Sequence, residues 1–234
     1  GWIFSVATEE PLRRRGYARA VVTHLVERLD ALGTARIDLT ASEEMASIIN
    51  NRVCWLVDPI DGTQPFISGM SGWCVSIAFI QANTLEFGLV YAPARNELFA
   101  GGRHHPATLN GQPVATHPSR TIREGIVGVG YSPRVTPDEF LSSFSRLLKA
   151  GAMFYRDGSG ALALCYLAAG RLVGYIEPHI NSWDCIAAVA IIKAAGGRCN
   201  DFLANDGMTR GNAIIAAGPT LYPKLVAITG HVAV

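Results

Sequence analysis

The stretch "VCWLVDPIDGTQPF", residues 53 to 66, runs five apolar residues into two acids spaced three apart, followed by Gly62 and Thr63. In isolation "DPIDGT" is a turn, because Pro, Asp and Gly all favour one. Its position argues for more. Residues 53–57 are apolar enough for a central strand, and in open α/β sheets ligands bind beyond the carboxyl ends of such strands. Two carboxylates about 4 Å apart repel by roughly 4 kcal/mol at an effective dielectric of about 20, and a cation between them removes that repulsion. An all-oxygen set of Asp58, Asp61 and the Ile60 carbonyl, which Pro59 helps to orient, suits Mg2+, Mn2+ or Ca2+ far better than zinc. Gly62 and Thr63 add backbone N–H groups and a hydroxyl, the chemistry of a phosphate cradle.

Outward from this stretch, short apolar runs alternate with helical patterns, the signature of a mixed α/β fold. Strands are expected at 53–57, 73–81, 85–92, 97–100, 126–131, 173–177 and 213–217. Residues 83–84 and the Asn-Gly pair at 110–111 read as hairpin turns, so part of the sheet is antiparallel. A helix is expected over 136–151, capped by Thr136, with Phe140, Leu141, Phe144, Leu147 and Leu148 on one face and Gly151 ending it. Two more run from Ser159 to Ala169 and from Trp183 to Ala195, each stopped by Gly. The organisation read from the chain is a loop–helix–strand segment at 1–42, a metal-binding α+β part at 43–120 and a substrate-side α/β part at 121–234.

Composition narrows the functional classes. With 49% hydrophobic and 17% charged residues in 234, the chain can bury one large core or two small ones. A formal net charge of +1 without a basic run leaves no electrostatic footprint for a nucleic-acid polymer. No apolar stretch nears the roughly 20 residues that span a bilayer, and "GWIFSVA" is too short for a signal peptide. Five cysteines without CxxC spacing read as free thiols in a reducing compartment, so the expected location is cytoplasmic.

Two further acids bear on the first pair. Asp184, in "NSWDCIAAVAIIKAAGG", is expected in the first turn of a long apolar helix, where the dipole favours negative charge and burial favours a metal partner. "ASEE" at 41–44 follows the expected strand "RIDL". By contrast His104 and His105, adjacent in sequence, point apart and read as a surface hairpin.

"DPIDGT" at 58–63, "WDCIAA" at 183–188 and "AAGG" at 194–197 together resemble the inositol monophosphatase family of Mg2+-dependent, often lithium-sensitive phosphatases. "DGSGALALCYLAAGRLVGYIE" at 157–177 is similar to that family's Gly-Ser/Thr-Ala helix and following strand, with Glu177 seven residues before Asp184 as in inositol-hydrolysing members. The resemblance covers about residues 43–234. It implies a layered αβαβα sugar-phosphatase-type sandwich with mixed and antiparallel sheets. It also implies a Mg2+-dependent phosphomonoesterase, with Mn2+ as a substitute, acting on a small polyol or sugar phosphate by two- or three-metal in-line attack of water. Carried over residue by residue, Glu43, Asp58 and the Ile60 carbonyl would hold the first metal, and Asp58, Asp61 and Asp184 the second. Thr63 with Glu43 would position the attacking water, Gly62 and Thr63 would bind phosphate, and Ser159, Gly160, Glu177 and Asp184 would face the substrate's hydroxyls. Members are often dimers, and relatives with the same metal motifs act on histidinol phosphate, sugar bisphosphates or nucleotide 3′-phosphates.

The chain departs from the family pattern before Glu43, where the expected Thr-x-x-Asp element is not recognisable. Residues 9–44 are instead similar to the acetyl-CoA-binding loop, helix and strand of GCN5-type N-acetyltransferases, with Arg13, Gly16 and Ala18 in the loop. This is too little for an acetyltransferase domain. An amphipathic helix through Tyr17, Val21, Leu25, Val26 and Leu29, packed on the core, is the simpler reading. The alternatives to an active phosphatase are therefore a degenerate, non-catalytic binding or regulatory member and, more remotely, an acetyl-CoA-binding module.

Overall fold

The computed structural model describes residues 2–6, 37–39 and 53–230. Glu43 and the acetyltransferase-like loop with its following helix lie outside these residues. The first sheet has eight strands: β1 (Trp2–Val6), β2 (Ile37–Leu39), β3 (Val53–Asp61), β4 (Cys74–Gln81), β5 (Thr84–Ala92), β6 (Glu97–Gly102), β7 (His105–Leu109) and β8 (Gln112–Pro113). Their order is β2-β1-β3-β4-β5-β6-β7-β8, with β1 parallel to both β2 and β3 and an antiparallel meander from β3 onward. Both expected hairpins form, the first with its turn at Ala82–Asn83, one residue earlier than expected, and Ala82, Asn83, Asn110 and Gly111 have positive φ, as tight two-residue turns require. The second sheet comprises β9 (Ile126–Val129), β10 (Met153–Tyr155), β11 (Gly174–Ile180), β12 (Arg198–Cys199) and β13 (Asn212–Ala217), in the order β10-β9-β11-β13-β12.

Helix α1 (Thr63–Ile67) follows β3 directly; α2 (Pro137–Lys149), α3 (Gly160–Ala168), α4 (Ile186–Ala194), α5 (Gly207–Arg210) and α6 (Tyr222–Thr229) lie in the second part of the chain. Helices α3 and α4 are apolar all round. Ala161 to Ala168 and Ile186 to Ile192 are buried throughout, the pattern of helices enclosed between two sheets. They join strand residues such as Leu56, Ile80, Phe99 and Ile214 in the largest core cluster. Helices α2 and α6 cover the far face of the second sheet through Leu147 and Leu225, joined by Leu221 just before α6. A mixed α/β sandwich of sheet, helix pair, sheet and helix pair results. The outer helical layer expected on the first sheet lies outside the described residues.

Three sequence expectations need revision. The strand predicted at 53–57 continues through Asp61, so both acids belong to β3 rather than to a loop after it. Asp184 is not in the first turn of α4: it closes a separate 3-10 turn, Ser182–Asp184, and Cys185 stands at the N-cap position between the turn and the helix. The tight turn lets Ser76 of β4 donate a hydrogen bond to the Trp183 carbonyl at 3.2 Å, fixing the turn against the first sheet. In α2, Thr136 caps as expected by accepting from Glu139 N, but only part of the predicted face is buried. Leu147 is 1% exposed, whereas Leu141 and Leu148 are 53% and 46% exposed. Replacement of Leu147 by Ala should therefore cost about 2–5 kcal/mol of stability, and of Leu141 within about 0.5 kcal/mol, measured by denaturant unfolding.

Candidate metal centre

An ordinary strand would turn Asp58 and Asp61, an odd number of residues apart, to opposite faces. Strand β3 avoids this with a bulge: Asp58 pairs with Ser76 and Asp61 with Cys74, so one extra residue is accommodated at Pro59–Ile60. Pro59 has no N–H to leave unpaired, and the Asp58 carboxylate accepts from Ile60 N at 2.9 Å. The bulge thus re-aims one acid toward the other. Asp184 arrives from the 3-10 turn, and one carboxylate oxygen from each of Asp58, Asp61 and Asp184 lies within 4.8 Å of the others.

Asp61 is held from the other side of the core. Its Oδ2 accepts from Ser159 Oγ at 2.5 Å and from Ala161 N at 2.8 Å, so the first turn of α3 grips a carboxylate of the first sheet. Ser159 also caps α3, accepting from Leu162 N, and Cys74 Sγ lies 3.4 Å from its hydroxyl. Asn181 donates to Asp184 Oδ2 at 3.0 Å. Gly62 turns the chain out of β3 at φ 88°, and a Cβ there would stand 2.5 Å from the Gly72 carbonyl oxygen, so only glycine fits. Thr63 donates its hydroxyl to the Ile60 carbonyl at 3.1 Å.

Strand β11 carries Glu177 in the same manner, with a second bulge at Pro178–His179. The Glu177 carboxylate accepts from Tyr175 at 2.8 Å and lines an open cleft shared with Tyr131, Arg156, Ser159 and Gly160. His179 instead donates to the Arg210 carbonyl. His104 and His105 are exposed, and the His105 ring packs on Phe87 far from the acids.

Electrostatics follow from the packing. Burial, then the charges of Asp184 and Asp61, push Asp58 well above the usual carboxylate range. Burial and Asp184 raise Asp61 to about 7 despite the Ser159 and Ala161 donors, and burial raises Asp184 as well. Glu177 is pushed to about 8, mainly by burial. A buried carboxyl cluster of this kind is relieved either by protons or by a cation, and its all-oxygen donor set fits Mg2+ or Mn2+.

The whole-chain comparison points the same way: a protein-family model described as "Inositol monophosphatase family" matches residues 19–232. The chain belongs to the inositol monophosphatase family. The match reaches upstream of the motif-bearing 43–234 and takes in much of the acetyltransferase-like segment. Among relatives, Nus factor SuhB of Haemophilus influenzae is 40% identical over 168 residues, covering 70% of this chain and 62% of that protein. The chain therefore spans less than two thirds of that relative's length. The crystal structure of extragenic suppressor protein SuhB from Bartonella henselae superposes with a TM-score of 0.71 at 27% identity, covering 77% of this chain and 70% of that one. An inositol monophosphatase from Anabaena (Nostoc) sp. PCC 7120 matches with a TM-score of 0.71 at 28% identity, covering 78% of this chain and 73% of that one. Membership of the inositol monophosphatase family accounts for the mixed α/β sandwich and for the order of the acid-bearing motifs.

Motif reading brought Asp58, Asp61, Asp184, Glu177, Gly62, Thr63, Ser159 and Gly160 forward, and missed Cys74 and Tyr175. The Tyr175 signal was available, since residues i and i+2 of a strand share a face. Cys74 reaches the site only through tertiary approach, which no local pattern announces, whereas Asn181 meets Asp184 from three residues upstream. A sign follows for stability. Each raised carboxyl ionises first in the unfolded chain, so chelator-treated protein should lose stability as pH rises from about 4 toward 8, the interval between the ordinary values of 3.8 and 4.5 and the shifted ones. Asp61→Asn should flatten that fall in melting temperature. A melting temperature that climbs across the interval would contradict the assignment.

Proposed function

We propose that the chain is a Mg2+-dependent phosphomonoesterase acting on a small polyol or sugar phosphate such as an inositol monophosphate. The observation that carries this reading is the convergence of Asp58, Asp61 and Asp184, from two separate parts of the chain, to within 4.8 Å in a largely buried site. Family membership supports it independently. Divalent ions bound there would neutralise charge developing on the phosphoryl oxygens and lower the pKa of water.

The roles of the chain's own residues follow. Asp58, Asp61 and Asp184 are the metal-holding carboxylates, with the Ile60 carbonyl beside them and Glu43, outside the described residues, assigned to the same set. Thr63 orients the attacking water, and the Gly62–Thr63 backbone holds the phosphate in line with the leaving ester oxygen. Ser159 and Gly160 border the substrate, and Glu177, which burial pushes above the usual carboxylate range, faces the substrate's hydroxyl groups. Catalysis then rests on positioning and charge neutralisation, with no covalent phosphoenzyme. Histidinol phosphate and nucleotide 3′-phosphates are alternative substrates for the same set.

A non-catalytic reading is favoured by one finding, the designation of a 40%-identical relative as a Nus factor. The two readings separate in one assay. Hydrolysis of a generic phosphate ester should require Mg2+, and Asp58→Asn should lower it by at least about a hundredfold while the protein stays folded. Divalent-metal binding without turnover in the unaltered protein would instead favour the non-catalytic reading.

A further inference from the structure

A polar cluster outside the acidic group joins the two sheets at the edge of the cleft. Arg95 ends the short 3-10 turn Pro93–Arg95 between β5 and β6, and its side chain is 27% exposed. Its Nε donates to the Ser71 carbonyl at 3.1 Å, its Nη1 to the Tyr166 hydroxyl, and its Nη2 lies 3.4 Å from Asp157 Oδ2. The guanidinium carbon also stands 5.4 Å from the centre of the Tyr166 ring. Asp157, in the loop between β10 and α3, is 11% exposed, and both its oxygens are engaged. Oδ2 also accepts from Tyr155 at 2.7 Å, and Oδ1 accepts from Ser159 N at 3.3 Å.

Ser159 is the residue that donates to Asp61. Arg95, Asp157, Ser159 and Asp61 therefore form an unbroken chain of polar contacts from the first sheet, through the second, back to the acidic group. The backbones meet along the same line. A Cβ on Gly72 would lie 2.8 Å from the Asp157 carbonyl oxygen, and one on Gly62 would lie 3.0 Å from Ser159 Cβ as well as against Gly72. The 68–73 loop, the Gly62 corner and the 156–159 loop are thus stacked in direct contact, and Arg95 bonds to the first and last of them.

An exposed ion pair contributes little, but this pair is mostly shielded, and the rigid planar fork of Arg95 spreads its donors over three partners in fixed directions, a geometry that the compact ammonium of a lysine lacks. We propose that Arg95 and Asp157 are positioning residues: together they hold the Ser159 turn against Asp61 and the Gly62 corner, and so set the width of the phosphate-binding end of the site. The proposal rests on the phosphatase reading for the identity of the anion, and on the described geometry for everything else.

The test compares unaltered protein with Arg95→Ala, Asp157→Ala and the double variant, using calorimetric binding of inorganic phosphate to Mn2+-loaded protein and the kcat and KM of Mg2+-dependent ester hydrolysis. Each single variant should weaken phosphate binding about tenfold and lower kcat/KM by about ten- to a hundredfold. The double variant should be no worse than the poorer single one, because the two act as a unit. Asp157→Asn, whose amide oxygen can still accept from Ser159 N, should recover part of the loss and covers the case in which Asp157→Ala fails to fold. A purely structural pair would lower the melting temperature and leave phosphate affinity and KM unchanged, which overturns the proposal, as would additive losses. If the unaltered protein binds phosphate without hydrolysing esters, the phosphatase reading fails while the phosphate affinities still decide the positioning role. If it binds no phosphate, both fail.

Discussion

Carboxyl groups from three points of the chain, enclosed with their oxygens within 4.8 Å, cannot all be charged without a compensating positive charge. Much of the surrounding structure can be read as the means of bringing them together nonetheless. The bulge at Pro59–Ile60 sets two of them, the 3-10 turn at Ser182–Asp184 presents the third, and the α3 N-terminus steadies Asp61 through Ser159 and Ala161. Each device satisfies backbone or side-chain polar groups that burial would otherwise leave unpaired.

The apolar helix pair makes the approach possible. Because α3 and α4 are buried on all sides between the sheets, their N-terminal ends and the segments leading into them are fixed relative to both. The Ser76 bond to the Trp183 carbonyl and the Ser159 bond to Asp61 cross the same gap in opposite directions. Sandwich and acidic group are therefore coupled: loosening the helices would separate the carboxylates, and removing the carboxylates would relieve electrostatic stress that the packing now opposes.

How far this was legible in the sequence depends on the range of the signal. Strands such as 85–92, the Asn-Gly hairpin and the Thr136 cap obey local rules, and all three formed as read. The acids were legible because "DPIDGT" and "WDCIAA" are long and specific. The bulge was half-legible, for Pro59 inside an apolar run signals an interrupted ladder without revealing which way the acids turn. The separation of Asp184 from α4 was missed because a 3-10 turn and a first helical turn share the same residue preferences. The Arg95–Asp157 contact spans 62 residues and two sheets, beyond any local pattern.

The family and the fold account for what this site resembles; the central physical claim is that its carboxyl groups are gathered for divalent cations. Anomalous diffraction from crystals grown with Mn2+ tests it most directly. The account predicts at least one strong anomalous peak within coordination distance, about 2.0–2.3 Å, of oxygens from Asp58, Asp61 and Asp184. The account is contradicted if those carboxyl groups are turned away from one another and no peak lies among them at saturating Mn2+.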